Sequence, residues 1–144
     1  MKKAILYFAS ILIVVSVAAA PGSKLMQKFS QTFPNAKNVK WIDDKAGYFV
    51  SFTQNGNFNK VFYDKDGGFV YSLKYTNGDD LPANIKVTLN EKFETPKILG
   101  VTEVTTSSNT VYNVKFTRDD KLYCLDLLTD GSIIKQEDYT YSGN

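Results

Sequence analysis

The chain repeats itself at an interval of 64 residues. Segment 23–80 resembles segment 87–144 without a gap, and the matches include helix, strand and turn residues. Self-similarity of this length indicates two copies of one supersecondary unit. We therefore divide the chain into two repeats, 23–80 and 81–144, and assign residues 81–86, which lie between the matched segments, to the second repeat. The clearest identities lie 64 positions apart (89 − 25): Leu25 and Leu89, Phe29 and Phe93, Val50 and Val114, Phe52 and Phe116, Gly67 and Gly131.

Each repeat begins with a predicted helix. In the first repeat Ser23 is a candidate N-cap and Pro34 ends the helix. In the second, Pro82 suits the first helical turn and Pro96 closes the segment. Each helix carries an apolar stripe that needs a sheet to pack against. The stripes are Leu25, Met26, Phe29 and Phe33 in the first helix and Leu81, Ile85, Leu89 and Phe93 in the second.

Four predicted strands follow each helix. Asn55-Gly56 is a strong two-residue hairpin signal, and it sets Val50 opposite Val61 on one face and Phe49 opposite Phe62 on the other. The following hairpin, at 64–68, admits two registers, so either Val70 or Tyr71 joins the face of Phe49. The strands are predicted at 38–43, 47–54, 57–64 and 68–76, then at 98–106, 110–118, 121–128 and 132–140.

The second repeat takes the same register around Asp119-Asp120. Val114 then faces Leu125, while Asn113 faces Asp126 on the other side. The face that carries apolar pairs in both repeats should lie under the helices. We predict an α+β fold of two tandem α-β4 units that form one curved antiparallel sheet with both helices on one face.

Residues 1–20 resemble a secretory signal peptide. Lys2 and Lys3 precede an apolar run at 4–17, and three alanines at 18–20 suit a signal peptidase. Pro21-Gly22 interrupts the run too early for a spanning helix. We expect cleavage after Ala20, a periplasmic or secreted location, and one mature domain at 21–144 that is not embedded in the membrane.

Composition narrows the function. The chain has no histidine, which removes the usual general base and the commonest metal ligand, so we predict no enzyme activity, no metal and no cofactor. Without residues 1–20 the chain has 15 basic (17 − 2) and 15 acidic residues, which argues against nucleic-acid binding. Its single cysteine, Cys124, can form no internal disulfide, and we favour a structural role over a reactive thiol.

Several short motifs resemble the PepSY-like, or β-lactamase-inhibitor-like, family. They are Phe33-Pro34-Asn35-Ala36, Val39-Lys40-Trp41, Tyr48-Phe49-Val50 and the hairpin at 63–67. The second repeat matches the same motifs less completely. The resemblance spans nearly the whole mature chain. It implies an exported protein of tandem helix-plus-four-strand units, without known catalytic residues, in an inhibitory or binding role.

The candidate binding residues are Trp41, Phe49, Phe58 and Phe62. Aromatic residues on an otherwise polar sheet face often mark an interaction site. The alternative is that the linker 77–80 or the C-terminal tail buries them. The segment at 64–67 could be part of a calcium loop, but Leu73 stands where the loop needs a glutamate, so we interpret it as a hairpin turn.

The predicted function is binding of an unknown exported protein or peptide through the outer sheet face, with inhibition of an exported enzyme as one form of that role. The alternative is a small-ligand-binding or envelope-sensing module that uses the same face. A wide exposed aromatic surface would favour the first, and a deep closed pocket the second.

Overall fold

The structure, a computed structural model, describes residues 21–140. The predicted signal peptide lies outside the described residues, as do residues 141–144. The fold is α+β. Its elements are α1 (Ser23–Thr32), β1 (Lys37–Asp44), β2 (Gly47–Gln54), β3 (Asn57–Asp64), β4 (Phe69–Thr76), α2 (Ala83–Phe93), β5 (Lys97–Thr106), β6 (Thr110–Arg118), β7 (Lys121–Leu128) and β8 (Ile133–Thr140).

The eight strands form one open antiparallel sheet in the order of the sequence. Each strand pairs with the next one along the chain, and α2 lies in the connection between β4 and β5. Within residues 21–140 the two edge strands are β1 and β8, and both carry lysine and acidic side chains. Charged residues at a free edge discourage pairing with the edges of other molecules.

Helix α1 packs through two residues one turn apart, Leu25 and Phe29, which are both buried. The helix ends at Thr32, before Pro34, as predicted. Its start differs from the prediction, because Gly22 occupies the N-cap position and Ser23 is already helical, with no side-chain hydrogen bond at the cap.

Helix α2 follows its predicted stripe closely. Ile85, Leu89 and Phe93 are buried along it, and Leu81 is buried just before it. Pro82 occupies the N-cap position, where its missing N–H is not needed. The helix ends at Phe93, because the next two residues adopt positive φ angles.

The core consists of two clusters, one beneath each helix. In the first, Leu25 and Phe29 pack with Val50, Phe52, Val61 and Tyr63 of β2 and β3. The second unites the α2 stripe with side chains of β5, β6 and β7: Val101, Val114, Phe116, Leu125 and Leu127. Val50 and Val114 are both 0% exposed, which confirms that these two positions face the core.

The predicted hairpin registers are confirmed. Val50 pairs with Val61 and Val114 with Leu125. Both turns use two consecutive residues with positive φ, at Asn55-Gly56 and at Asp119-Asp120, the geometry of a type I′ turn. Such turns match the twist of the strands they join, so they hold the register in place.

The hairpin between β3 and β4 shows which of the two registers allowed by the sequence is adopted. Phe62 pairs with Tyr71, whereas the next residue, Tyr63, pairs with Phe69. Val70 is therefore the extra residue of a β-bulge. As a result, Tyr71 shares the face of Phe49 and Phe62.

Candidate functional site

An aromatic surface crosses strands β2 to β4 on the side of the sheet opposite α1. We call it the aromatic face and define it by Phe49, Phe58, Phe62, Tyr71 and Tyr75. Strand side chains alternate between faces, so these residues point away from their buried neighbours Val50 and Val61. None of the five belongs to either core cluster.

The rings of the aromatic face pack against one another across the strands. The centroids of Phe49 and Phe62 are 4.5 Å apart, and those of Phe62 and Tyr71 are 5.5 Å apart. A second pair, Phe58 and Tyr75, has centroids 5.7 Å apart. These separations are typical of favourable aromatic pairs. The rings therefore form an ordered surface.

Exposure differs between the two rows of rings. Phe58 is 45% exposed and Tyr75 is 37% exposed. Phe49, Phe62 and Tyr71 are half-buried, in keeping with their packing on each other. Solvent thus reaches the aromatic face of the described protein along its whole length.

Gly47 makes room for one of these rings. A Cβ atom at position 47 would lie 2.8 Å from Cζ of Phe62, closer than real side chains approach. The ring of Phe62 therefore extends over the start of β2, where the absence of a side chain admits it.

A row of aliphatic side chains, separate from the aromatic face, lies on the same side of the sheet and extends into its second half. Each residue of the row pairs with the next one on the neighbouring strand, and all four are half-buried: Leu73, Val104, Val111 and Leu128. The sequence led us to expect a mostly polar face in this half. Asn113 does pair there with Asp126, as predicted, but the aliphatic row beside them was missed.

Trp41 does not lie on the aromatic face, and its predicted position was wrong. It pairs with Val50 and packs on the α1 side, 5.3 Å from the ring of Phe29 and 6.1 Å from that of Tyr63. The side chain is half-buried against the first core cluster. The register of the β1–β2 hairpin assigns it to this face. Burial also raises the pKa of the Tyr63 phenol beside it. Ile42, the next residue, pairs with Phe49 and is 57% exposed beside the aromatic face.

The linker 77–80 does not bury the aromatic face. Gly78 lies against Ile98 and Val101, and Val101 belongs to the core cluster beneath α2. Asp80 lines a cleft that also includes Phe52, a core residue on the side of α1. The other predicted cover, the C-terminal tail, lies outside the described residues beyond Thr140.

The segment at 64–67 forms a hairpin turn. Asp64 Oδ1 accepts hydrogen bonds from the backbone N–H of Asp66, at 2.9 Å, and of Gly68, at 2.7 Å. Gly67 has a φ of 80°, which a glycine adopts without strain. Within residues 21–140, no cluster of three acidic or cysteine side chains is arranged to hold a metal ion. Turn geometry accounts for these residues.

Cys124 lies on the same sheet face as the aromatic face, in the other half. It pairs with Lys115 on one side and Glu137 on the other, and it is half-buried. Charged neighbours of opposite sign flank it, so no one-sided positive field surrounds the thiol.

An open cleft of about 380 Å³ lies beside the end of α1. Its walls are mainly polar and include the side-chain amides of Gln54, Asn57 and Asn59. Lys74 and Glu103 contribute an ion pair at 3.9 Å. The cleft also contains Phe33 and Phe52, so it opens on the α1 side, away from the aromatic face.

The comparisons with known proteins identify the fold. No family model matches the chain, and no curated protein sequence matches it significantly. A BLIP-like protein from Bacteroides fragilis matches with a TM-score of 0.70 and 17% identity, over 89% of this chain and 93% of that chain. A DUF2874 family protein from Bacteroides ovatus matches with a TM-score of 0.68 and 21% identity, over 84% and 89%.

A third match is a protein from Bacteroides eggerthii that has been inferred to be periplasmic. Its TM-score is 0.67 and its identity 19%, over 84% of this chain and 91% of that chain. Within residues 21–140, no helix has the length and apolar character needed to cross a bilayer. At these identities the likeness concerns architecture, and the PepSY-like part of the sequence resemblance stays a prediction. Residues 21–140 have a BLIP-like fold, with two helices and one open antiparallel sheet of eight strands.

Proposed function

We propose that the protein is an exported, non-enzymatic module that binds another protein or a peptide through its aromatic face. The observation that carries this proposal is the row of packed rings of Phe49, Phe62 and Tyr71, which crosses three strands without a helix over it in the described protein. Aromatic side chains bury a large area at a small entropic cost, which suits them to anchor a partner.

The two halves of the sheet are built as copies of one unit, with both helices on the same face. The strand pairing supports this arrangement. Val61 pairs with Ser72, Ser72 with Thr105 and Thr105 with Thr110. Directly paired residues share a face, and so do residues an even number of positions apart on one strand, so Val61 and Val114 point the same way. In the part of the chain that the structure describes, the opposite face is then free of helices.

A difference between the two halves distinguishes residues that folding requires from residues that are available for binding. Phe49, Phe58 and Phe62 correspond, at an interval of 64 residues, to Asn113, Leu122 and Asp126. The second half folds with these residues, and Asn113 donates a hydrogen bond to Asp126 at 2.7 Å. Folding of the unit therefore does not require the aromatic rings. A requirement for contact with a partner explains why the first half keeps them.

Export is supported from two directions. The first is the signal-like segment 1–20 with its positive start and alanine end. The second is the likeness to a Bacteroides protein inferred to be periplasmic. The BLIP-like neighbour has a name that suggests inhibition of an enzyme, and such inhibition is one form that binding by this chain can take. A location in the periplasm or outside the cell, a protein partner and the absence of catalysis form one consistent account.

The alternative function, binding of a small ligand, has an observation of its own. The open cleft beside α1 offers several amide groups and an ion pair to a polar molecule. This location differs from the sequence-based prediction, which assigned a ligand to the aromatic face. Because the cleft is open, the aromatic face remains the better supported site.

The test is affinity capture from the periplasmic extract of the source bacterium. The protein carrying Phe49→Ser and Phe62→Ser should lose the partner that the wild type captures, while its circular dichroism spectrum stays unchanged. Val111→Ser with Leu128→Ser is the matched control, because these residues form an apolar pair on the same face in the other half. Capture of the same partner by both folded double variants would place the binding surface elsewhere.

A further inference from the structure

A row of polar side chains divides the aromatic face into two parts. Lys40 pairs with Ser51, and Ser51 pairs with Lys60, so the three residues lie side by side on β1, β2 and β3. On one side of this row lies the pair Phe49–Phe62, and on the other lies Phe58. Two ammonium groups thus flank a serine hydroxyl within the aromatic surface.

Neither lysine is neutralised within the described protein. Both are exposed, and no carboxylate of residues 21–140 lies within ion-pair distance of them. Nζ of Lys60 lies 5.8 Å from the ring centre of Phe58, so the ring attracts the cation while leaving its charge uncompensated. The row therefore presents positive charge to whatever covers the aromatic face.

The acidic residues at the end of this face are occupied by their own turns. Asp44 accepts a hydrogen bond from the backbone N–H of Ala46 at 3.0 Å. Asp64 accepts two from its own hairpin. Both carboxylates lie at the end of the sheet that holds the β1–β2 and β3–β4 turns. Their positions are one cross-strand row beyond Phe49 and Phe62 on the same face. Positive and negative charge are thus separated along the strands.

The other half of the same face carries charges of both signs. Lys135 pairs with Glu137 at 3.1 Å, and Asp126 accepts a hydrogen bond from Asn113. Among the lysines of this face that lack an ion pair within residues 21–140, Lys40 and Lys60 are therefore the ones that lie among aromatic rings. Exposed lysines in this half, such as Lys97 and Lys115, have no aromatic ring paired with them.

We infer that the partner is a protein that inserts an acidic side chain over Ser51, between Lys40 and Lys60, and packs apolar side chains on the flanking rings. This inference rests on the proposed function and adds the chemistry of the partner. The two lysines stand two strands apart, roughly 10 Å, so one carboxylate between them lies within reach of both long side chains. The surrounding rings exclude water when the partner is bound, which strengthens the attraction.

A selection from a phage-displayed library of random peptides tests the inference. The target is the protein recovered from the periplasm of a bacterial expression host. The wild type should enrich peptides that have Asp or Glu next to aromatic or aliphatic residues. The variant Lys40→Glu with Lys60→Glu should instead enrich peptides with Lys or Arg at that place. The control Lys97→Glu with Lys115→Glu reverses the same number of charges on the same face and should select as the wild type does.

Synthetic peptides then give the size of the effect. Replacing the acidic residue of the best peptide by its amide should weaken binding roughly tenfold at low salt, and by less at high salt. Enriched peptides that are apolar, or identical for wild type and the Lys40/Lys60 variant, would overturn the acidic partner and leave the aromatic face standing. If no peptide is enriched on the folded protein, both proposals fail. Lysine-dependent binding to phosphatidylglycerol vesicles without peptide binding would point to a membrane and likewise contradict a protein partner.

Discussion

Phe49 and Phe62 lie directly opposite each other on β2 and β3, with ring centroids 4.5 Å apart. The corresponding pair in the second half of the chain, Asn113 and Asp126, holds the same positions on β6 and β7 through a hydrogen bond of 2.7 Å. One cross-strand site is thus aromatic in one half and polar in the other. The backbone accepts either solution, and this difference is the basis of our proposal that the aromatic rings serve binding.

Aspartate substitutions should distinguish the two faces of the sheet. Val50→Asp and Val114→Asp each bury a carboxylate without a partner, so each should lower the free energy of unfolding by roughly 3 kcal/mol or more. Phe49→Asp, on the solvent-accessible side, should lower it by clearly less. Urea denaturation of the three variants measures this order. A near-wild-type stability of Val114→Asp would contradict the packing of the second half.

Two glycines 64 residues apart should respond differently to alanine. Both have positive φ angles, so each substitution should cost about 1 kcal/mol of stability in backbone strain. A Cβ atom at Gly131 would also lie 2.7 Å from the backbone oxygen of Asn84 in α2, whereas at Gly67 the nearest atom is a flexible Leu25 carbon at 3.7 Å. Gly131→Ala should therefore destabilise more in a denaturant titration. Equal losses would show that α2 does not pack tightly on this turn.

Trp41 should behave as a core residue. Its ring packs on Phe29 and Tyr63, so Trp41→Ala should lower the free energy of unfolding by about 2 kcal/mol. Phe58→Ala removes a ring that is 45% exposed and should cost less than about 1 kcal/mol. Thermal unfolding compares the two. A larger loss of stability for Phe58→Ala than for Trp41→Ala would contradict the packing of Trp41 against the core.

Export should remove the N-terminal segment. When the gene is expressed in a bacterial host, the protein recovered outside the cytoplasm should begin near Pro21, because Ala18 to Ala20 provide the small residues needed at the cleavage site. Intact-mass measurement and N-terminal sequencing read this directly. Membrane-free exported protein that still begins at Met1 would contradict the prediction.

The sequence predicted strand pairing well only where the turn residues carry a clear signal. Asn55-Gly56 and Asp119-Asp120 carry the positive-φ signature of a type I′ turn, so the registers of their hairpins followed from the chain alone. Lys45 and Ala46, which connect β1 to β2, carry no such signal, and Trp41 was consequently assigned to the wrong face.

The failure to predict the aliphatic row has a similar explanation. The pairing of Leu73 with Val104 joins β4 to β5 across α2, and no turn residue specifies that register. It depends on how both core clusters pack, which a one-dimensional pattern does not contain. The candidate site was therefore predictable as far as Phe49, Phe58 and Phe62, whereas the extension through Tyr71, Tyr75 and Ile42 required the structure.

The most direct test of the account is the affinity of the captured partner for the aromatic face. Calorimetry would compare the wild type with the Phe49→Ser/Phe62→Ser variant and with the Val111→Ser/Leu128→Ser control, each shown to be folded. Two aromatic anchors predict a loss of about a hundredfold for the first variant and little change for the control. Unchanged affinity of the folded Phe49/Phe62 variant, or failure of that variant to fold while the control folds, would contradict the claim that these rings serve binding.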